Sequence, residues 1–220
     1  MAEPYFDDGT VTLYLGDCRE ITEWTTAAVL VTDPPYGMAY VSGYKARPIT
    51  SDTTTETRDH VLALWGDRPA IMFGTWRATR PSGIRSIAVW DKTDGVGPGM
   101  GDLNLPVGSS HEEIYLLGGP WRRAGKRVGS VVRTHESPAA LSNRHGHPTV
   151  KPVDLMEQLI GWTSGTVADP FAGSGSTLVA ARNLGRRAIG IEIDEAYCET
   201  IVRRLQQQPL FTDMEVDGRG

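Results

Sequence analysis

Cysteine is scarce: two residues in 220, Cys18 and Cys198. They stand far apart and without metal-ligand spacing. That excludes a disulfide framework or a cysteine-built metal centre, and no metal is expected. Long apolar runs are lacking too; no stretch approaches the ~20 residues that span a bilayer, so no membrane association is expected. Met1-Ala2-Glu3-Pro4-Tyr5 shows no basic region followed by an apolar stretch. No secretory leader is read there, and a cytoplasmic protein with free thiols is expected. Positive charge is in deficit, with a formal net charge of −5, which argues against binding nucleic acid through bulk charge. No internal repeat and no second domain can be discerned, so residues 1–220 read as one domain.

What is present is unevenly placed. Between Gly118 and His135 stand Arg122, Arg123, Lys126, Arg127 and Arg133, with no acidic residue. The chain therefore carries one basic island on an acidic body. Apolar runs of strand length recur at Val11–Leu15, 27–32, Ala70–Phe73, Ser86–Trp90, Glu113–Leu117, Val167–Asp169 and Ala188–Ile191. Helical patterns lie between several of them. One runs from Thr57 to Gly66, and one starts at Pro152 with Leu155, Met156, Leu159 and Ile160 on one face. A third spans about 176–184, and a fourth, capped by Asp194, carries Tyr197, Ile201 and Leu205. Strands alternating with helices predict an α/β fold on a largely parallel sheet. The glycine-rich run Gly95–Gly101 is followed by no helix pattern, so it reads as a flexible loop rather than a phosphate cradle.

Asp33-Pro34-Pro35-Tyr36 closes the second apolar run. Neither proline donates a hydrogen bond and each fixes its own φ, while the residue before each is pushed towards extended geometry. A short stiff segment at a strand's carboxyl end thus presents a carboxylate, bare carbonyls and an aromatic ring. That set suits a flat polar group bearing an amino nitrogen; a plain Pro-Pro turn closed by a surface tyrosine is the competing account.

Strand, glycine-rich turn, helix, strand and then an acid make up residues 167–192. Glycines at 173 and 175 let backbone N–H groups approach a ligand. Glu192, 23 positions after Asp169, is placed to accept hydrogen bonds from ribose hydroxyls. Asp169, just before the turn, would repel a pyrophosphate but would hold a cationic amino group. A positively charged nucleoside fits, and S-adenosylmethionine is one.

Together, Asp33-Pro34-Pro35-Tyr36 and Asp169-Pro170-Phe171-Ala172-Gly173-Ser174-Gly175-Ser176-Thr177 resemble the amino-methylating (N6-adenine/N4-cytosine) DNA methyltransferases. The catalytic motif precedes the cofactor motif, as in the circularly permuted β group. Leu15-Gly16-Asp17, Trp90-Asp91-Lys92, Glu112-Glu113-Ile114, His147-Pro148-Thr149-Val150-Lys151-Pro152 and Ile191-Glu192-Ile193-Asp194 are similar to further family segments in order; Ile49-Thr50-Ser51-Asp52 matches more loosely. The resemblance implies a single Rossmann-like S-adenosylmethionine-dependent methyltransferase domain with a mostly parallel sheet and permuted motif order. It also implies a double-stranded DNA substrate and, because relatives in this group are often dimers, a homodimer; no apolar patch in the sequence demands one. One departure is evident. The family's sizeable target-recognition region is reduced to a small basic insert, 118–146.

Carried onto this chain, Asp33 and the Pro34 carbonyl accept the two N–H bonds of an exocyclic amino group, Pro35 stiffens the segment, and Tyr36 stacks on a flipped base. Asp17 meets the adenine of S-adenosylmethionine, Asp169 its amino group and Glu192 its ribose. Phe171, Ala172, Gly173, Ser174 and Gly175 line the pocket, and Thr149 and Lys151 lie near the methionine part. Arg122, Arg123, Lys126 and Arg127 contact phosphates, and Trp121 packs the loop or wedges into the helix. Tyr40, Tyr44, Lys45 and Arg47 lie on a loop that closes over the base. No cysteine nucleophile is needed, which disfavours C5 methylation of cytosine. Aspartate in the first motif position resembles the adenine type more often and serine the cytosine type, so N6-adenine is the expected target and N4-cytosine the alternative. A non-catalytic DNA- or cofactor-binding module is the reading from a different class.

Overall fold

The computed structural model describes residues 2–36, 54–93, 104–122, 126–134 and 150–207. Among these residues, nine strands form one sheet: β1 Phe6–Asp7, β2 Val11–Leu15, β3 Val29–Thr32, β4 Ala70–Gly74, β5 Ile84–Asp91, β6 His111–Leu117, β7 Val131–Arg133, β8 Val167–Asp169 and β9 Ala188–Glu192. Their order across the sheet is β1-β2-β9-β8-β3-β4-β6-β5-β7. The central run β2-β9-β8-β3-β4 is parallel. Every residue of β3, β4 and β8 is buried, as expected for parallel strands covered on both faces.

Among the described residues, four α-helices flank the sheet: α1 Glu56–Trp65, α2 Val153–Gly161, α3 Ser176–Asn183 and α4 Glu195–Gln206. One core joins Val29, Val31, Ile71 and Phe73 to Leu155, Leu159, Leu178 and Ile201, so α2, α3 and α4 cover one face. On the other face, Leu30, Met72 and Ile191 pack against Val61 and Trp65 of α1 and against Trp24 of a 3-10 turn, Glu23–Thr26. Trp24 and Trp65 stack at 5.9 Å. The outcome is a three-layer α/β domain.

The sheet is mostly parallel, as expected, with antiparallel pairs where β1 meets β2 and where β6 meets β4 and β5. Two features depart from the sequence reading. Part of the basic island is a strand, as Val131–Arg133 pairs parallel with β5. Pro152 is the residue before α2 rather than its first helical residue. The cap at Asp194 is as expected: its Oδ1 accepts from the Ala196 N–H at 2.9 Å. No helix among the described residues is long and apolar enough to cross a membrane.

Candidate active site

Because β3 and β8 are parallel neighbours, their carboxyl ends deliver Asp33 and Asp169 to one edge of the sheet. The two motifs touch through one hydroxyl: Thr32 Oγ1 donates to Asp169 Oδ1 at 2.6 Å. Asp33 then follows directly, with Tyr36 OH donating to its Oδ1 at 2.5 Å. Its other oxygen, Oδ2, accepts from Lys151 Nζ at 2.5 Å. Lys151 also lies 3.2 Å from Glu112 Oε2, and Lys92 lies 3.2 Å from Glu112 Oε1.

Burial dominates the titration of this cluster. It pushes the Asp33 carboxyl above the usual range, against the pull of the Lys151 ammonium. Burial likewise raises the Tyr36 hydroxyl, and the neighbouring carboxylates add to the effect. For Lys151 the order reverses: burial would lower it, but Asp33 and Glu112 together raise it to about 12. Glu112 falls below its ordinary value because Lys151 and Lys92 outweigh its burial. At neutral pH, Lys151 is therefore a cation facing two carboxyl groups.

On the cofactor side, Pro170 to Gly175 forms the turn into α3. The Phe171 N–H donates to Asp169 Oδ1 at 3.2 Å. Ala172 N–H bonds the Ile191 carbonyl at 2.9 Å, and Gly175 N–H bonds the Ala172 carbonyl at 2.7 Å. Ser174 is held from outside the motif, because Arg204 Nη1 of α4 donates to its carbonyl at 2.6 Å. Gly173 and Gly175 both have left-handed φ, +53° and +84°. A Cβ on Gly175 would come within 2.7 Å of Ile201 Cγ1. Gly175→Ala is therefore expected to cost about 1–2 kcal/mol from the backbone alone, and the Ile201 contact adds to it. The melting temperature should drop by several degrees by circular dichroism, roughly 2–4 °C for each kcal/mol.

Glu192 ends β9 and accepts three backbone N–H bonds: Gly173 at 2.7 Å, Ile193 at 2.9 Å and Asp194 at 2.9 Å. Burial raises Glu192 to about 7, with those hydrogen bonds opposing, and Asp169 to about 6, opposed by the Thr177 and Thr32 hydroxyls and the Phe171 N–H. Neither forms an ion pair among the described residues. Two buried carboxyl groups beside a glycine turn, without a cation of their own, fit a ligand that brings positive charge and hydroxyl donors. Asp17 follows β2, where Leu15 pairs with Glu192. Its carboxylate is gripped by Arg19, whose Nε lies 2.9 and 3.0 Å from the two oxygens.

The chain belongs to the DNA methylase family. A model of that family, which covers N6 and N4 methyltransferases, matches residues 54–203. YubD of Escherichia coli (strain K12), a protein named as a methylase, is 35% identical over 211 residues, 86% of this chain and 88% of YubD. Two solved structures share the fold. The M1.HpyAVI–SAM complex aligns with a TM-score of 0.65 at 21% identity, covering 90% of this chain and 100% of the other. The cytosine-N4-specific PvuII DNA methyltransferase aligns at 0.62 and 15% identity, over 95% and 91% respectively. The protein is a DNA methyltransferase, and S-adenosylmethionine is its cofactor.

Of the expected site residues, the methyltransferase fold brings Asp33, Pro34, Pro35, Tyr36, Lys151, Asp169, Phe171 to Gly175, Glu192 and Asp17 to the carboxyl ends of β2, β9, β8 and β3. Arg122, Lys126 and Arg127 are exposed. Trp121 is partly buried against the core, its indole N–H on the Gly118 carbonyl at 3.0 Å. Tyr40, Tyr44, Lys45, Arg47, Arg123, Thr149 and His147 lie outside the described residues. Sequence reasoning did not single out Thr32, Glu112, Lys92, Arg19 or Arg204 as site residues. Glu112 and Lys92 had a signal, since each stands in a segment matched to the family. Both cysteines are buried, and burial pushes each thiol up to about 12. Neither is a thiolate nucleophile at neutral pH.

Proposed function

We propose that this DNA methyltransferase acts at a specific site in double-stranded DNA, moving a methyl group to the exocyclic N6 of an adenine turned out of the helix. The observation that carries the reading is the Asp33 carboxylate at the head of a stiff proline segment, one residue from the hydroxyl that touches Asp169. An exocyclic amino nitrogen is a weak nucleophile because its lone pair is delocalised into the ring. Asp33 and the Pro34 carbonyl are proposed to accept its two N–H bonds, which localises the lone pair and offsets the developing positive charge. Tyr36 supplies a face for the base, a contact worth about 1–3 kcal/mol. S-adenosylmethionine supplies an activated methyl group. Asp169, Glu192 and the turn at Phe171 to Gly175 are proposed to hold it, with Asp17 towards its adenine and Thr149 towards its methionine end. Aspartate rather than serine at position 33 is what favours adenine over the N4 of cytosine.

Arg122, Arg123, Lys126 and Arg127 are proposed to meet phosphates, a contribution that weakens with salt, with 118–146 as the recognition insert. The loop after β4 adds a second surface: Trp76 is 65% exposed, with the Arg77 guanidinium 4.9 Å from its ring centre. Thr32 pairs with Met72, so this loop leaves the sheet beside Asp33. Tyr40, Tyr44, Lys45 and Arg47 are proposed to cover the flipped base.

Incubation with labelled S-adenosylmethionine and genomic DNA, followed by digestion to nucleosides, tests the reading. Label in N6-methyl-2′-deoxyadenosine supports it. Label in N4-methyl-2′-deoxycytidine moves the target to cytosine, and no transfer into DNA of any sequence context overturns it.

A pH dependence follows from the buried acids. Asp169 and Glu192 are raised to about 6 and about 7, so both carry protons as the pH falls below these values. The charged carboxylates are the forms that attract a cation and accept hydroxyl donors. Affinity for S-adenosylmethionine should therefore weaken as pH drops from 8 to 5. The slope should approach about tenfold per pH unit for each group that must ionise. Calorimetry at several pH values checks this; an affinity flat across that range contradicts it.

A further inference from the structure

The groups beside Asp33 alternate in charge: Asp33, Lys151, Glu112, Lys92. They come from the end of β3, the segment before α2, β6 and the end of β5. Both oxygens of Asp33 are engaged, Oδ1 by the Tyr36 hydroxyl and Oδ2 by Lys151. A base amino group that donates to Asp33 must take the place of one of these. Lys151 has somewhere else to go. Glu112 Oε2 is buried and accepts no aligned hydrogen bond among the described residues, although the ammonium lies only 3.2 Å away. A buried acceptor left in that condition is unusual and calls for a reason. The Phe73 ring, 4.8 Å from Nζ, closes one side of the ammonium's space.

We propose that Lys151 is a positioning residue for the catalytic carboxylate. Its ammonium holds Asp33 while the site is empty, then moves to Glu112 Oε2 and yields Asp33 Oδ2 to the amino group of the target base. The proposal rests on the reading of Asp33 as the group that grips the base. It assigns Lys151 a task on the target side, whereas the family motif alone suggested the methionine end of the cofactor. Asp33 is faced by Tyr36 from its own segment, by Lys151 from the segment before α2 and by Glu112 from β6, and its charge is felt by Asp169 on β8. Lys92 acts through Glu112, and Tyr115 faces Tyr36. Among the described residues, Lys151 is the cation in direct contact with Asp33.

The experiment compares full-length wild type with Lys151→Met, Lys151→Arg and Glu112→Gln. The first readout needs no catalysis: a carbon-13 carboxyl titration of free protein, with the Asp33 signal assigned by its loss in Asp33→Asn. In Lys151→Met the Asp33 midpoint should rise by at least one pH unit, and Lys151→Arg should restore most of the shift. S-adenosylmethionine affinity should stay within threefold in both. An unchanged Asp33 midpoint overturns the proposal. So does a tenfold loss of cofactor affinity in Lys151→Met, which returns the lysine to the cofactor side. The second readout is methyl transfer. Glu112→Gln, which weakens the second seat of the ammonium, should lower kcat/KM for DNA about tenfold at unchanged cofactor affinity. A wild-type value overturns the shift between carboxylates. Should Lys151→Met fail to fold, Lys151→Gln replaces it in both readouts: an Asp33 midpoint that it leaves at the wild-type value overturns the proposal. Failure of the functional reading looks different: the wild type itself transfers no methyl to DNA, while the Asp33 midpoint still responds to Lys151.

Discussion

Replacing Asp33 by alanine should lower the rate of methyl transfer to DNA by about 10³-fold, the upper end for losing one preorganised polar group at a reacting centre. Affinity for S-adenosylmethionine should change by no more than a few fold. Among the described residues, the hydrogen-bonded route from Asp33 to the cofactor side runs through its neighbour Thr32, whose hydroxyl bonds Asp169. The substitution leaves Thr32, Asp169 and the turn at Phe171 to Gly175 in place. The fold should tolerate it, because Lys151 keeps Glu112 as a carboxylate partner at 3.2 Å. Single-turnover kinetics with cofactor bound in advance separate the chemical step from binding. Wild-type activity in Asp33→Ala would remove this residue from the mechanism.

The second large effect is expected at Asp169. Asp169→Asn keeps the size of the side chain and one oxygen for the Thr32 hydroxyl and the Phe171 N–H, but removes the charge. If Asp169 holds the amino group of S-adenosylmethionine, affinity should fall by about 10²-fold, in the range for losing one partner of a buried charge pair. Stability should move the other way. Burial raises this carboxyl to about 6, so at pH 7–8 the folded protein holds a charge it would shed at lower pH. A neutral amide escapes that cost. The predicted signature is a cofactor site lost in a protein that melts no lower than wild type. Calorimetry for binding and a thermal melt for stability read the two halves independently. A variant that binds normally contradicts the assignment, and one that simply unfolds contradicts the electrostatic account.

Much of the site was legible in the sequence because its marks are local. Two prolines after Asp33 restrict the chain whatever surrounds them, and glycines at 173 and 175 announce a turn that side chains resist. Both have left-handed φ. Asp194 caps α4 through the Ala196 N–H two residues on, a bond of the kind a pattern can foresee. The short strands β1 and β7 were not legible, since most of their residues are not buried and neither carries an apolar run of the kind that marks β8. Nor was the antiparallel pairing of β6. Its run of apolar residues states that it is buried, not which neighbour buries it.

The contacts that complete the site are the least local ones. Lys151 meets Asp33 across 118 positions, and Thr32 meets Asp169 across 137. Arg204 reaches back 30 positions to Ser174. No spacing rule links such pairs, because each depends on which strands lie side by side.

By itself, then, the sequence determined the class of this protein and the two ends of its chemistry: a stiff carboxylate for an amino group, and a glycine turn with two acids for a cofactor. Only the tertiary structure decided how they meet. The parallel pairing of β3 with β8 sets Asp33 beside Asp169, and the placing of β6 between β4 and β5 brings Glu112 to Lys151. Backbone preferences act over a few residues and survive in any context. Charge and hydrogen bonding act through space, and space is defined only once the sheet has formed.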